Sequence, residues 1–500
     1  VRRRITGLTL IVLALFAAVL VQAVYVQLYR APALNADPAN PRNQQSATKY
    51  PRGDIVSAEG TVLAVSVPSK APNYPWKRIY PLRSLTADVV GYNSTYYGTA
   101  GIEYEYDHYL VSHPQPPQSI AQLLSPVRST DNVNLTLEVA LQQVAARALG
   151  TKDGAVVALD PRTGAVLSMY SNPTYDPALL ASPNTAVQRA AWALYTRNNA
   201  NGFPPLGNLA IQQTFPPGST FKVVTTSAVF RFDPVLANKA YPVQTCTSLP
   251  YSNKQLCNSG GSPCGGTIYV MLPASCDPGY ADLGLDLGGT TLYNQAILFG
   301  YNAVPPIDLP GVVPSYFPSP ASFITNQPGV AYSAIGQQNV RATALQDALV
   351  AAGIANGGFV MAPHLLNTVT DQNDRIISSW KPSVWRHPLS ASQAAQVVPL
   401  MENVVKYGTA SGVGFLYQDQ VAAKTGTAQT GNAAQNTDDW MIAFAPASNP
   451  VVAVGVVVPF QANYDFGATV AGPIVKCVIE AQLAIDAHQP PSGTATTCPS

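Results

Sequence analysis

Hydrophobic positions change rhythm several times along the chain, and each change predicts a different element. Residues 5–29, ITGLTLIVLALFAAVLVQAVYVQLY, carry no charge. At about 1.5 Å per residue such a helix is roughly long enough to cross a ~30 Å hydrocarbon layer. From 31 to 131 the rhythm dissolves among Pro, Tyr, Asn and Ser, leaving short strand-like pieces such as RGDIVSAEGTVLAVSV (52–67). Helical spacing returns in LTLEVALQQVAARALG (135–150), where Leu137, Leu141, Val144 and Ala148 share one stripe that stops at Gly150. GAVVALDPRTGAVLSMYS (154–171) then reads as two β-rich runs joined by Pro-Arg-Thr-Gly, a hairpin signal. A second strand set lies far downstream in VAAKTGTAQ (421–429), DWMIAFAP (439–446) and PVVAVGVVV (450–458), before a helical GPIVKCVIEAQLAIDAH (472–488). Between them, from about 180 to 400, helices prevail. TALQDALVAAGIANGG (343–358) is one, with a Thr343/Gln346 capping box and a Gly357-Gly358 stop.

Two early and three late strands predict a single five-stranded antiparallel sheet, closed by the first and last helices and carrying a helical lobe. The fold class is therefore an α/β sandwich with its cleft between sheet and lobe, preceded by a membrane helix and a small β-containing pedestal. The boundaries are 1–30 for an Arg-tagged transmembrane anchor, 31–133 for the pedestal, 134–490 for the sandwich and 491–500 for a tail. Composition adds three points. A length of 500 residues suits two or more domains. Twenty-eight basic against 27 acidic residues leave a net charge of +1, which gives nucleic acid no basic surface to bind. Arg2, Arg3 and Arg4 keep the N-terminus cytoplasmic and send the rest of the chain outside. A cleaved secretory signal ending at Ala31-Pro32-Ala33 is the rival reading, but its apolar region would span only about 7–15 residues.

Export puts all six cysteines where disulfides persist. Local closure pairs Cys246 with Cys257, Cys264 with Cys276, and Cys477 with Cys498. No histidine of the five stands at a metal-ligand spacing from them, so no metal site is expected there.

The candidate chemistry lies in three places. In QQTFPPGSTFKVVTT (212–226), Ser219 precedes an apolar run as a helix cap would, yet Lys222 stands three residues on, where Glu or Gln would complete a capping box. Residues i and i+3 share a helix face, so hydroxyl and ammonium can meet. Burial and the positive helix end both depress a lysine pKa, as a general base requires. Read blandly, the pair is an N-cap followed by a snorkelling lysine. In AKTGTAQ, Gly426 lets a substrate backbone approach the strand, Thr425 and Thr427 project hydroxyls, and Lys424 adds positive charge. Alternatively, Lys424 simply protects an edge strand. In PASCDPGYADLG (273–284), Ser275 is placed to relay a proton and Asp277 to hold it, unless the two merely form an Asx turn.

The order S-x-x-K at 219, S-x-D at 275 and K-T-G at 424 is that of the penicillin-binding and serine β-lactamase superfamily. The chain resembles class B penicillin-binding proteins over nearly its whole length, and actinobacterial members most. RGDIVSAEGTVLA (52–64) and GTAGIEYEYDHYL (98–110) are similar to their juxtamembrane and pedestal segments. LDPRTGAVLSMYSNPTYDP (159–177), AYSAIGQQNVRATALQ (331–346) and ANGG (355–358) resemble their transpeptidase domain. The resemblance implies a dimerisation-type pedestal and a serine acyltransferase that cross-links peptidoglycan stem peptides ending in D-Ala-D-Ala, with no metal or organic cofactor. Ser219 would be nucleophile, Lys222 base, Ser275 proton relay and Lys424 a further catalytic group. Asp277, Thr425, Gly426 and Thr427 would bind substrate, and the N–H groups of Ser219 and Thr427 would form the oxyanion hole. β-Lactams would acylate Ser219, and a SEDS-type glycosyltransferase would be a partner. The family also implies two alternatives, a membrane-anchored β-lactamase or penicillin sensor, and a non-catalytic division or elongation scaffold. A Ser-His-Asp hydrolase is disfavoured because no G-x-S-x-G is present. Where many relatives carry Asn, this chain has Asp277, which can accept but not donate when ionised.

Overall fold

The computed structural model describes residues 2–30, 49–71, 74–115, 119–125, 127–416, 420–431, 436–462 and 465–488. Helix α1 (Arg2–Tyr25) continues into a π-helical turn over Val26–Arg30, and its large apolar side chains, among them Leu13, Phe16 and Leu20, stand exposed.

The catalytic-side sheet consists of β1 (Gly154–Leu159), β2 (Val166–Asn172), β3 (Ala422–Gln429), β4 (Thr437–Ala445) and β5 (Val452–Gln461). All pairs are antiparallel, in the order β2-β1-β5-β4-β3, so β3 is an edge strand. Side chains alternate between faces. Val156, Ala158, Met441, Ala443, Val454 and Val456 pack with helices α2 (Val139–Leu149) and α6 (Gly467–Asp486) on one face. Ala155, Val157, Trp440 and Ile442 belong to the core shared with the helical lobe on the other, which contains α3 (Lys222–Phe232), α4 (Asp277–Leu287) and α5 (Ala344–Ala355). Helix α6 is long and apolar enough to cross a membrane, yet 56% of its most apolar window is buried, as suits a core helix.

Three details depart from the sequence reading. Helix α2 starts at Val139, because Asn132–Leu135 is drawn into a strand. On α5, Thr343 caps the N–H of Gln346, but the buried Gln346 amide donates to the carbonyl of Phe299 at 2.8 Å rather than closing a box. The pedestal sheet is not confined to 31–133. Its six strands run Ile376–Ser379, Leu366–Thr370, Asn132–Leu135, Ile55–Val56, Val62–Ala71 and Tyr74–Ile79, so two come from far downstream.

A buried charge cluster organises the pedestal. Glu103, fully buried, accepts from Arg52 Nε at 3.0 Å, Arg78 Nε at 2.6 Å and Tyr80 Oη at 3.1 Å, while Arg52 Nη1 reaches Asp107 at 2.7 Å. Pedestal and sandwich are joined by polar contacts. Asp88 accepts from the N–H and hydroxyl of Ser171 on β2, and Tyr106 donates to Asp308 at 2.7 Å.

Candidate active site

Ser219 occupies a 3₁₀ turn, Gly218–Phe221, that leads directly into α3. Its side chain caps neither helix, so the N-cap reading of this serine does not hold. The turn is pinned on three sides. Trp440 Nε1 on β4 donates to Pro216 O at 2.8 Å, Gly218 N–H donates to Gly336 O at 3.0 Å, and the Thr220 hydroxyl donates to Asp347 on α5 at 2.6 Å. Burial pushes the Asp347 carboxyl up to about 7 against the Thr220 bond that favours its ionised form.

Lys222 opens α3 with its side chain fully buried. The spacing predicted an ammonium beside Ser219. Instead Lys222 Nζ donates to Asp277 Oδ1 at 2.7 Å and to the carbonyl of Ser275 at 2.6 Å, and lies 3.4 Å from Ser275 Oγ. A buried cation takes the nearest carboxylate and carbonyl in preference to a neutral hydroxyl. Burial lowers the pKa of Lys222, and the Asp277 carboxylate opposes that shift.

Ser275 and Asp277 are held by the turn that opens α4. Ser275 has a φ of +56°, rare for a side chain with a Cβ. Its neighbour Cys276 is bonded to Cys264, and Cys246 to Cys257. The pairing of Cys477 with Cys498 reaches outside the described residues. Asp277 sits in the first turn of α4, where the helix dipole favours its charge, and its second oxygen accepts from Ser259 N–H at 3.0 Å. Asn258 in turn accepts from Asp277 N–H at 3.1 Å.

Lys424, on β3, donates to Ser275 Oγ at 2.8 Å and to Thr425 O at 2.8 Å. It was expected to present charge to the cleft, but it too is fully buried. Burial and then the nearby Lys222 charge push its pKa well below the ordinary lysine value, with Asp277 opposing. Ser275 thus bridges two buried lysines that share one carboxylate.

Two cavities open from the cleft, and Ser219 and Thr427 line both. One, of about 540 Å³, is also walled by Ser275, Thr409, Thr425 and Phe466. The other, of about 510 Å³, extends along β3 to Gln429. Thr425 exchanges a hydrogen bond with Thr409 at 2.6 Å, and Thr427 Oγ1 accepts from Gly467 N–H at the start of α6.

Residues 154–480 match the family model described as the penicillin-binding protein transpeptidase domain, and 52–129 match that of the penicillin-binding protein A dimerisation domain. The chain belongs to the penicillin-binding protein transpeptidase family. It is 36% identical over 488 residues to the peptidoglycan D,D-transpeptidase PbpA of Mycobacterium tuberculosis, covering 94% of this chain and 97% of that one. It is also 27% identical to the stage V sporulation protein D of Bacillus subtilis, covering 81% of this chain and 64% of the relative. Among solved structures, the ceftriaxone acyl-enzyme complex of M. tuberculosis penicillin-binding protein A superposes with a TM-score of 0.79. The identity is 33%, with 88% of this chain and 99% of that chain covered.

In this penicillin-binding protein Gly426 also has a close neighbour that the sequence did not show. A Cβ there would lie 2.8 Å from Pro217 O and 3.0 Å from both Thr220 and Trp440, so the close neighbour is the Ser219 turn itself. Gly426→Ala is expected to displace that turn and slow penicillin acylation about tenfold, the equivalent of mild overpacking. Stopped-flow acylation kinetics would check this, and an unchanged rate would show that the turn tolerates the methyl group. Sequence reasoning missed Asn258, Ser259 and Thr409. The first two could have been suspected because they fall between Cys257 and Cys264, whose bridges fold that segment onto Asp277. Thr409 lies in an unremarkable Tyr-Gly-Thr-Ala-Ser-Gly stretch.

Proposed function

We propose that this chain is a peptidoglycan D,D-transpeptidase that works through an acyl-enzyme on Ser219. The observation that carries the reading is the junction position of Ser219, which lines two cavities at once, with Ser275 in the wall of one of them and the buried Lys222 and Lys424 behind Ser275. A serine so placed can be acylated from one side and deacylated by an amine from the other. The acyl-enzyme complexes solved for M. tuberculosis penicillin-binding protein A support the same chemistry.

Unprotonated Lys222 takes the hydroxyl proton as Ser219 attacks the penultimate D-Ala carbonyl. The N–H groups of Ser219 and Thr427 stabilise the oxyanion, which is usually the largest catalytic contribution. Thr425 and Thr427 hold the terminal carboxylate, and Lys424, when protonated, contributes its charge from beneath them. Ser275 passes a proton to the departing D-alanine, and an acceptor amine from another stem resolves the ester. Asp277 holds Lys222 when that lysine carries the proton. Helix α1 anchors the enzyme, with the Arg residues cytoplasmic and the catalytic region outside, where a SEDS-type glycosyltransferase would supply glycan strands. The segments 1–30, 31–133, 134–490 and 491–500 remain the proposed division of the chain, with strands from 366–379 completing the pedestal sheet.

Incubation with a labelled penicillin, followed by mass spectrometry, is expected to find a long-lived adduct on Ser219. An adduct elsewhere, or none, would sink the assignment. Rapid turnover of the adduct would favour a β-lactamase.

A further inference from the structure

The two cavities that meet at Ser219 differ in the chemistry of their walls. Around Thr425 the polar groups are hydroxyls, from Ser275, Thr409, Thr425 and Thr427 among others, with Asn258 the one carboxamide among the described residues. Toward the end of β3 four carboxamides, from Gln255, Asn258, Gln337 and Gln429, stand among the hydroxyls of Ser259, Tyr332, Thr427 and Thr437. The amide of Asn258 is occupied, donating to Ser262 O and accepting from Asp277 N–H. The side-chain amides of the three glutamines have no hydrogen-bond partner among the described residues. Among the described residues no basic side chain lines this cavity, and the carboxylate that does, Asp277, is paired with Lys222.

Direction along the cleft follows from β3. As the edge strand of its sheet it has one side free to accept an added peptide strand. With the terminal carboxylate at Thr425 and the scissile carbonyl at Thr427, the upstream residues run antiparallel to β3 toward Gln429. At roughly 3.4 Å per residue, two positions upstream span the distance from Thr427 to Gln429. Those two residues therefore enter the amide-walled cavity.

A primary amide in that cavity can donate to a glutamine carbonyl and accept from a glutamine NH₂ group. A carboxylate can use only the NH₂ ends, turns the carbonyls toward its own charge, and meets no cation. We infer that the cavity walled by Gln255, Gln337 and Gln429 is a subsite for primary amides on the stem residues just upstream of the scissile D-alanine. The enzyme then acylates from amidated stems in preference to their free-carboxylate counterparts. This rests on the acyl-transfer reading above and adds to it a class of donor.

The test uses two synthetic pentapeptides ending in D-Ala-D-Ala, identical except that the carboxylates on the two residues upstream of that end are free in one and amidated in the other. D-Alanine release by the full chain is expected to show kcat/KM about tenfold higher for the amidated peptide, the worth of one net hydrogen bond or slightly more. Gln429 is exposed at the end of β3, so Gln429→Lys is compatible with the fold, which a thermal melt would verify. That variant is expected to bring the ratio to one or reverse it. Equal release from the two peptides by the unaltered protein overturns the inference while leaving the transpeptidase reading intact. An unchanged ratio in Gln429→Lys removes the discrimination from this cavity and overturns it too. Release from neither peptide, with penicillin still labelling Ser219, overturns both.

Discussion

Replacing Lys222 with alanine is expected to slow acylation of Ser219 by a penicillin about 10²–10⁴-fold, the usual contribution of a positioned base. The ammonium is fully buried against Asp277, so the single change also strands a carboxylate. A paired variant, Lys222→Met with Asp277→Asn, removes the base without leaving that charge and should melt close to the unaltered protein. If this variant folds and still acylates at the original rate, Lys222 is not the base. The pH profile separates the two groups further. Acylation needs the neutral amine, so the rate falls as pH drops through the depressed lysine pKa. Burial lowers that pKa and Asp277 raises it, for Lys222 and Lys424 alike. Asp277→Asn alone should therefore move the acid limb to lower pH. An acid limb that stays in place, or moves upward, would show that Asp277 does not set the base.

Loss of Glu103 is expected to be the most damaging change in the pedestal. Glu103→Ala leaves Arg52 and Arg78 buried with their shared carboxylate gone, which typically costs about 3–5 kcal/mol. A urea titration of the full chain would read this as an earlier loss of pedestal structure, and a midpoint unchanged from the parent would remove the cluster from the stability of the fold. The pH dependence has a definite sign. Burial alone would raise the Glu103 pKa, but Arg78 and Arg52 overcome it, and the folded value lies below 4.5. The cluster therefore stabilises the fold fully above pH 4.5, and that contribution is lost as pH falls through the lower folded pKa.

Much of this was legible in the sequence because short-range rules govern it. The hairpin at 154–171 and the three late strands gave the five-stranded sheet, since alternation and turn residues are local signals. The three motifs at 219, 275 and 424 do converge, with Ser275 within 2.8 Å of Lys424 and 3.4 Å of Lys222. What local reading could not supply was the partner of each charge. An i, i+3 spacing puts Ser219 and Lys222 on one face, but a carboxylate 55 residues away decides where the ammonium goes. Gly426 was assigned to substrate approach, because nothing in Lys-Thr-Gly announces that Pro217 lies against it. The strands at 366–370 and 376–379 pair locally with each other, but the first joins the pedestal sheet only through Asn132–Leu135, more than two hundred residues upstream, so their place in that sheet was missed for the same reason.

Those late strands also dictate an order of assembly. Asn134 donates to Thr368 across 234 residues of sequence, and the strand holding Asn134 sits between the Ile55–Val56 strand and Leu366–Thr370. The pedestal sheet consequently cannot close until residue 379 has been delivered. Contacts of such separation form slowly, because loop closure precedes any gain from pairing. A nascent chain halted in the helical lobe before Leu366 therefore holds the Asn132–Leu135 strand of the pedestal sheet without its downstream partner.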